Sequence, residues 1–195
     1  MKGQTACLAQ ERKNEIRYRA VWLNSAKECA YLAVFVALVI VGQVLLAVIP
    51  GVEIVTLLFI VYAFVFGLVR GMFAATAFAL LRQLIFGFFP TVLILYLTYY
   101  NVLACIFGAL GRVVKKPLHA LWWLTAVACL CTVGFTMLDN VITPWFYAFS
   151  HKAWRVYFYA SLSFMIPQVV CTAVTVSVLF YPLQRVFKQI KKGLR

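Results

Sequence analysis

The sequence predicts an all-α membrane protein, a bundle of six transmembrane helices with the N-terminus and the C-terminus both cytoplasmic. Three observations carry that expectation. First, apolar and aromatic residues make up 65% of the 195 residues and charged ones only 12%, giving a mean hydropathy of +0.96. A soluble domain of this length needs a larger polar coat, because it cannot bury two-thirds of its side chains. Second, the apolar residues come in stretches separated by short turn signals. Third, with the N-terminus inside, all of the 18 Lys and Arg residues except Arg82, Lys152 and Arg155 fall in cytoplasmic segments. That asymmetry is a strong positive-inside signal. It also accounts for the net charge of +13, which in a soluble protein would point to nucleic acid; no nucleic-acid partner is expected here.

Residues 1–24 are mainly polar and read as a cytoplasmic segment, with Arg12, Lys13, Arg17 and Arg19 interleaved with Glu11 and Glu15 as in a short helix at the membrane surface. The apolar stretch that follows is too long for a signal-peptide core. Residues 25–187 are expected to form a six-helix transmembrane domain. Its first span covers 26–49 and is closed by Pro50-Gly51, a pair that turns the chain. The second covers 54–69 and is interrupted by Arg70-Gly71; the third covers 72–86, with a turn from Gly87 to Pro90. These two have fewer apolar residues than the ~20 that a full crossing takes. They are either tilted or packed on neighbours, and four spans with a re-entrant hairpin is the alternative arrangement. The fourth span, 91–110, stops at Gly111-Arg112, and the fifth covers 119–138. Residues 139–153 read as the one loop of any length. The last span starts at 154 and passes Tyr181-Pro182 into a basic tail, 188–195. Val186, Phe187, Ile190 and Leu194 at helical spacing predict that this tail continues the last helix along the inner leaflet. Trp145, Tyr147, Trp154, Tyr157 and Tyr159 crowd the opposite interface, where amphipathic rings prefer to sit.

Catalytic patterns are missing: the sequence has no HExxH, GxSxG, Walker A or paired intramembrane aspartates, so an enzyme is not expected. No metal site is expected either. The six cysteines are scattered, Cys129 and Cys131 are too close for a usual metal pair, and His119 and His151 have no second ligand nearby.

Two features point to contact or binding. In the first span Ala26, Ala30, Ala33 and Ala37 recur at steps of four, three and four, forming one stripe of small residues. Such a stripe lets another helix approach closely, either from the same bundle or from a partner. Gly67-x-x-x-Gly71 repeats the pattern in the second span. The other feature is polar groups at membrane depth, which are costly and mark function. Arg82 lies roughly 18 Å beyond Arg70 at ~1.5 Å per residue. It needs an anionic partner, a set of carbonyls or an acidic ligand, unless it snorkels into interfacial water. Glu53 and Asp139 are the only acids on the outer side. Around Arg82 lie Gln83, Tyr96, Tyr100, Asn101, Asn140, Gln168 and Thr172, a mixture of aromatic walls and a few polar groups that suits a small-molecule pocket. For any single one of them an interhelical hydrogen bond is the competing role.

Several segments resemble a known family. The run from Ile49 through Pro50, Gly51, Val52, Glu53, Ile54, Val55 and Thr56 is similar to the "P-x-V-E-L-V-T" stretch of substrate-binding S components of energy-coupling factor (ECF) transporters, in the branch with cobalamin-type and related vitamin transporters. Phe66-Gly67-Leu68-Val69-Arg70-Gly71 resembles its "F-G-x-K-x-G" turn, Gly87-Phe88-Phe89-Pro90 with Tyr96 its "Y-G-F-…-Y", and Leu179-Phe180-Tyr181-Pro182-Leu183 its "L-Y-x-P-L" close. The resemblance spans residues 25–187. It implies a multi-pass protein of a prokaryotic plasma membrane that captures a vitamin, vitamin precursor or similar micronutrient at the outer face. It further implies docking, through the alanine stripe, on a transmembrane coupling subunit that carries two ATPases. ATP would then be used by those partners, and this chain would hold no cofactor. Two departures stand out: Leu80-Leu81-Arg82-Gln83 replaces an acidic "L-L-E-G", and Pro167-Gln168-Val169-Val170-Cys171-Thr172 lacks the Asp/His pair of "P-F-D-x-x-H". With Arg82 in place of an acid, the expected substrate carries a carboxylate or phosphate, or at least is not cationic.

Overall fold

A computed structural model describes residues 26–46, 54–114, 117 and 119–193. Those residues form six α-helices and no strand: α1 (Ala26–Leu46), α2 (Val55–Phe66), α3 (Leu68–Phe86), α4 (Pro90–Val113), α5 (Leu121–Phe146) and α6 (His151–Gly193). Five of the six are long and apolar enough to cross a membrane, so the chain is a multi-pass membrane protein by length and composition. The exception is α2, with 12 residues, every one of them buried. It is roughly 18 Å long and lies in the middle of the bundle against α3, α4 and α6. Phe59 of α2 sits among Phe35, Phe78 and Tyr100, at centroid distances of 5.5, 5.2 and 4.7 Å. The protein, not lipid, is the solvent of this helix.

The chain breaks between α2 and α3 at Gly67, not at Arg70-Gly71 as the sequence reading has it. Gly67 adopts φ +93°, a conformation that side-chain-bearing residues avoid, and the helix restarts at once with Leu68. Gly71 has a different job. A Cβ there would sit 3.1 Å from the Cβ atoms of both Ala63 and Ala104, so its smallness lets α2, α3 and α4 meet. Gly108 and Gly111 of α4 press against the break itself, on the backbone of Leu68 and Phe64.

Residues 139–146 also depart from expectation, because they continue α5 instead of opening a loop. The connection to α6 is only residues 147–150. Pro144 would normally end a helix, since it lacks an N–H for the carbonyl four residues back. Here that carbonyl, of Asn140, accepts a hydrogen bond from the indole Nε1 of Trp154 at 3.1 Å. The side chains of Asp139 and Thr143, one turn apart, are hydrogen-bonded at 2.7 Å. Asp139 and Asn140 are therefore helical residues facing α6.

The bundle has one basic end. Arg70, at the start of α3, pairs with Glu28, at the start of α1, at 2.6 Å. Lys191, near the end of α6, donates to the carbonyl of Val65 at the end of α2. Helix α6 runs unbroken from His151 to Gly193, and Phe187 packs against Phe35, Tyr62 and Phe66. Arg112, Arg185, Lys188 and Lys192 share this end by their positions on α4 and α6. The opposite end holds the close of α1, the α3–α4 turn and the α5–α6 connection.

Candidate functional site

The sequence-selected polar residues fall into separate groups. The first surrounds Arg82 on α3. Its guanidinium lies over the rings of Tyr96 and Phe86, 4.6 and 4.7 Å from their centroids. Its Nε donates to Gln43 Oε1 at 3.2 Å, and Gln43 Nε2 donates in turn to the Tyr96 hydroxyl at 3.2 Å. The Arg82 Nη1 is buried and meets no acceptor among the described residues. Two aromatic faces and one amide thus hold this cation at the end of the bundle away from the basic one. Glu53, named with it from sequence, lies outside the described residues.

Other members of the set are fasteners. Gln83 is buried, and its Oε1 accepts the Phe89 N–H at 3.0 Å, fixing the α3–α4 turn. Asn101 donates to Leu97 O at 2.7 Å and to Thr76 Oγ1 at 3.4 Å, tying α4 to α3. Tyr100 sits in the aromatic interior against Phe59, Phe78 and Tyr96. Thr172 accepts from Thr132 Oγ1 at 3.1 Å, both side chains being buried between α5 and α6.

Asp139 and Gln168 come together at a cavity of about 400 Å³ between α5 and α6. Phe135, Thr136 and Asp139 line it from α5; Tyr157, Ala160, Ser161, Phe164 and Gln168 line it from α6. The Asp139 carboxylate accepts the Thr143 hydroxyl at 2.7 Å on one oxygen and the Tyr157 hydroxyl at 2.6 Å on the other. Asn140 supports the wall from behind: its Nδ2 donates to Ser161 Oγ at 2.7 Å, and Ser161 reaches the Phe158 carbonyl at 2.8 Å. Gln168 and Thr136, only 8% and 7% exposed, line the cavity without a hydrogen bond from either side chain among the described residues. Phe135 joins this cavity to the first group, since its ring lies 5.9 Å from Tyr96 and 4.8 Å from Tyr99.

Tyr157, Ser161, Thr136 and the walls Phe135 and Phe164 were not selected as site residues from sequence. A signal was present for α6: Tyr157, Ser161, Phe164 and Gln168 step by four, three and four along one helix face. For α5 the pairing with α6 had to be known first.

The alanine stripe is placed plainly. Ala26, Ala30, Ala33 and Ala37 are all exposed, and α1 turns Phe35, Val36, Val39 and Ile40 inward instead. Among the described residues the stripe is not used to pack α1 against another helix.

A scan of protein-family models gives no match for this chain, and neither do searches of curated proteins and of solved structures.

Proposed function

We propose that this chain is the substrate-capturing subunit of an ATP-driven, ECF-type importer in a cell membrane, taking up a vitamin, vitamin precursor or similar small micronutrient. The observation that carries the reading is the polarisation of the bundle. A stripe of small residues on α1 is left uncovered by the other described residues, while an aromatic cavity with a few polar groups opens in the half away from the basic end. On the positive-inside rule the basic end is cytoplasmic, which puts both termini inside and the cavity towards the outer face. In this reading the alanine stripe receives a transmembrane coupling subunit, and ATP is hydrolysed by two ATPase subunits bound to that partner. The resemblance of the segments around Gly67, Pro90 and Tyr181 to S components supports the same assignment.

The test is co-purification of the tagged chain from its native membrane in mild detergent. A coupling subunit and ATPases are expected to travel with it. Ala30→Leu with Ala33→Leu is expected to release them by crowding the stripe, while leaving the melting temperature of the isolated chain unchanged, because both alanines are exposed. Recovery of the chain without such partners, or retention of them by the double variant, would count against the proposal.

A further inference from the structure

We infer that the α5–α6 cavity binds its ligand through a protonated amine or another organic cation seated on Asp139. This rests on the reading of the chain as a ligand-capturing subunit and specifies the class of ligand.

The charge of Asp139 is held but not neutralised. Its two oxygens each accept one hydroxyl, from Thr143 and Tyr157, and no Lys, Arg or His among the described residues lies within ion-pair distance. A carboxylate offers about four acceptor positions, so positions remain for a donor arriving through the cavity. In a protein with only 5 acidic residues and a net charge of +13, a lone carboxylate lining a cavity is a selective element, not a product of average composition. Lys152 flanks a neighbouring depression that shares Tyr157 and Ala160, yet it forms no ion pair with Asp139.

The walls suit the same ligand. Phe135, Phe164 and Tyr157 surround the space with aromatic rings, whose faces attract cations and pack against flat molecules. Gln168 and Thr136, residues that are mostly buried, line the cavity with an amide and a hydroxyl that make no hydrogen bond with the described protein. These two are positioned to bond the polar remainder of a ligand whose cationic group sits further along, at Asp139. The volume accommodates a molecule of one or two rings, within the ~300–1,000 Å³ of small-molecule sites.

The sequence expectation of an acidic or non-cationic substrate rested on Arg82. In the structure Arg82 does not line this cavity. It stacks on Tyr96, and Tyr96 in turn meets Phe135. The charge a ligand meets between α5 and α6 is therefore that of Asp139.

The experiment compares three shape-matched probes on the purified full chain in detergent: benzylamine, benzyl alcohol and benzoate, with binding read by ligand-observed NMR and by thermal stabilisation. Benzylamine is expected to bind more tightly than benzyl alcohol by about tenfold, the effect of one charge-assisted hydrogen bond, and benzoate more weakly than either. Asp139→Asn, which keeps an acceptor for the neighbouring hydroxyls, is expected to abolish the advantage of the amine and leave benzyl alcohol unaffected. Benzoate binding as well as benzylamine, no binding by any probe, or an amine preference that survives Asp139→Asn would each overturn the inference. If the Asn variant does not fold, the ranking on the unaltered chain decides. Co-purification of ATPase partners is an independent readout: partners without amine preference would refute this inference alone, and amine binding without partners would refute the importer reading alone.

Discussion

Gly111→Ala is expected to unseat α4 from the α2–α3 break and to lower the thermal stability of the chain more than any other single methyl addition at a described glycine, except one at Gly108. A Cβ at Gly111 would collide with the carbonyl of Phe64, with the carbonyl carbon at 2.9 Å and Cα at 3.1 Å. At Gly108 it would sit 2.5 Å from Leu68 Cα and 2.6 Å from Leu68 N. All of these are backbone atoms, so no side-chain rotation relieves the overlap. Overpacking a core with a methyl group typically costs ~1–3 kcal/mol, and a backbone-on-backbone clash belongs at or above the top of that range. To make room, α4 must separate from the break, which also opens the Gly71 contact with Ala104. Gly134, in α5, is the control: a Cβ there meets nothing within 4 Å, and Gly134→Ala should gain roughly 0.5–1 kcal/mol from helix propensity. Melting curves of the purified variants in detergent check the order. A Gly111→Ala protein as stable as Gly134→Ala would mean that α4 does not lie on the break.

The Glu28–Arg70 pair carries the second large effect. The two side chains are only 16% and 19% exposed, and each leaves a buried atom, Glu28 Oε2 and Arg70 Nε, without a hydrogen bond among the described residues. Removing one partner strands a charge in a low-dielectric setting, which costs about 3 kcal/mol or more. Glu28→Leu alone is therefore expected to destabilise the chain strongly and to loosen the start of α1 from α3. The double variant Glu28→Leu with Arg70→Met replaces both charges by apolar groups of similar reach, and it is expected to recover most of the loss. The pair tethers one edge of α1, whose other faces have few polar ties apart from Gln43. If single and double variants lose equal stability in a thermal melt, the pair contributes nothing beyond packing.

Much of the fold was legible because long apolar stretches between turn signals leave few choices once lipid is the solvent. Pro90 opens α4 where a proline is tolerated, its missing N–H being one of the unpaired ones in any first turn. The α2–α3 break was legible to within a few residues, yet Gly67 and Gly71 look alike in sequence. Only the positive φ of one and the close neighbours of the other tell them apart. The extension of α5 through residue 146 was hidden by its composition. Asp, Asn and Pro favour turns when nothing else acts on them, and here an indole fourteen residues away takes up the carbonyl that Pro144 frees. The cavity was half legible. Gln168 stood out as a polar group at depth and Asp139 as one of two outer acids, but their meeting place depends on the register between α5 and α6, which no local pattern encodes. The Glu28–Arg70 pair links residues 42 positions apart and was out of reach for the same reason.

The complete burial of α2 bears on how the chain is made. A helix roughly 18 Å long cannot bridge a hydrocarbon layer of ~30 Å, so a translocation channel has no span to hand over to the bilayer at this point in synthesis. Left alone among acyl chains, α2 would expose the end groups of its backbone to a medium that offers them nothing. Its neighbours α4 and α6 are encoded after it, and each is long enough to be inserted independently. The centre of the mature bundle is consequently the last part to settle, closed over by helices that reach the membrane later than it is synthesised.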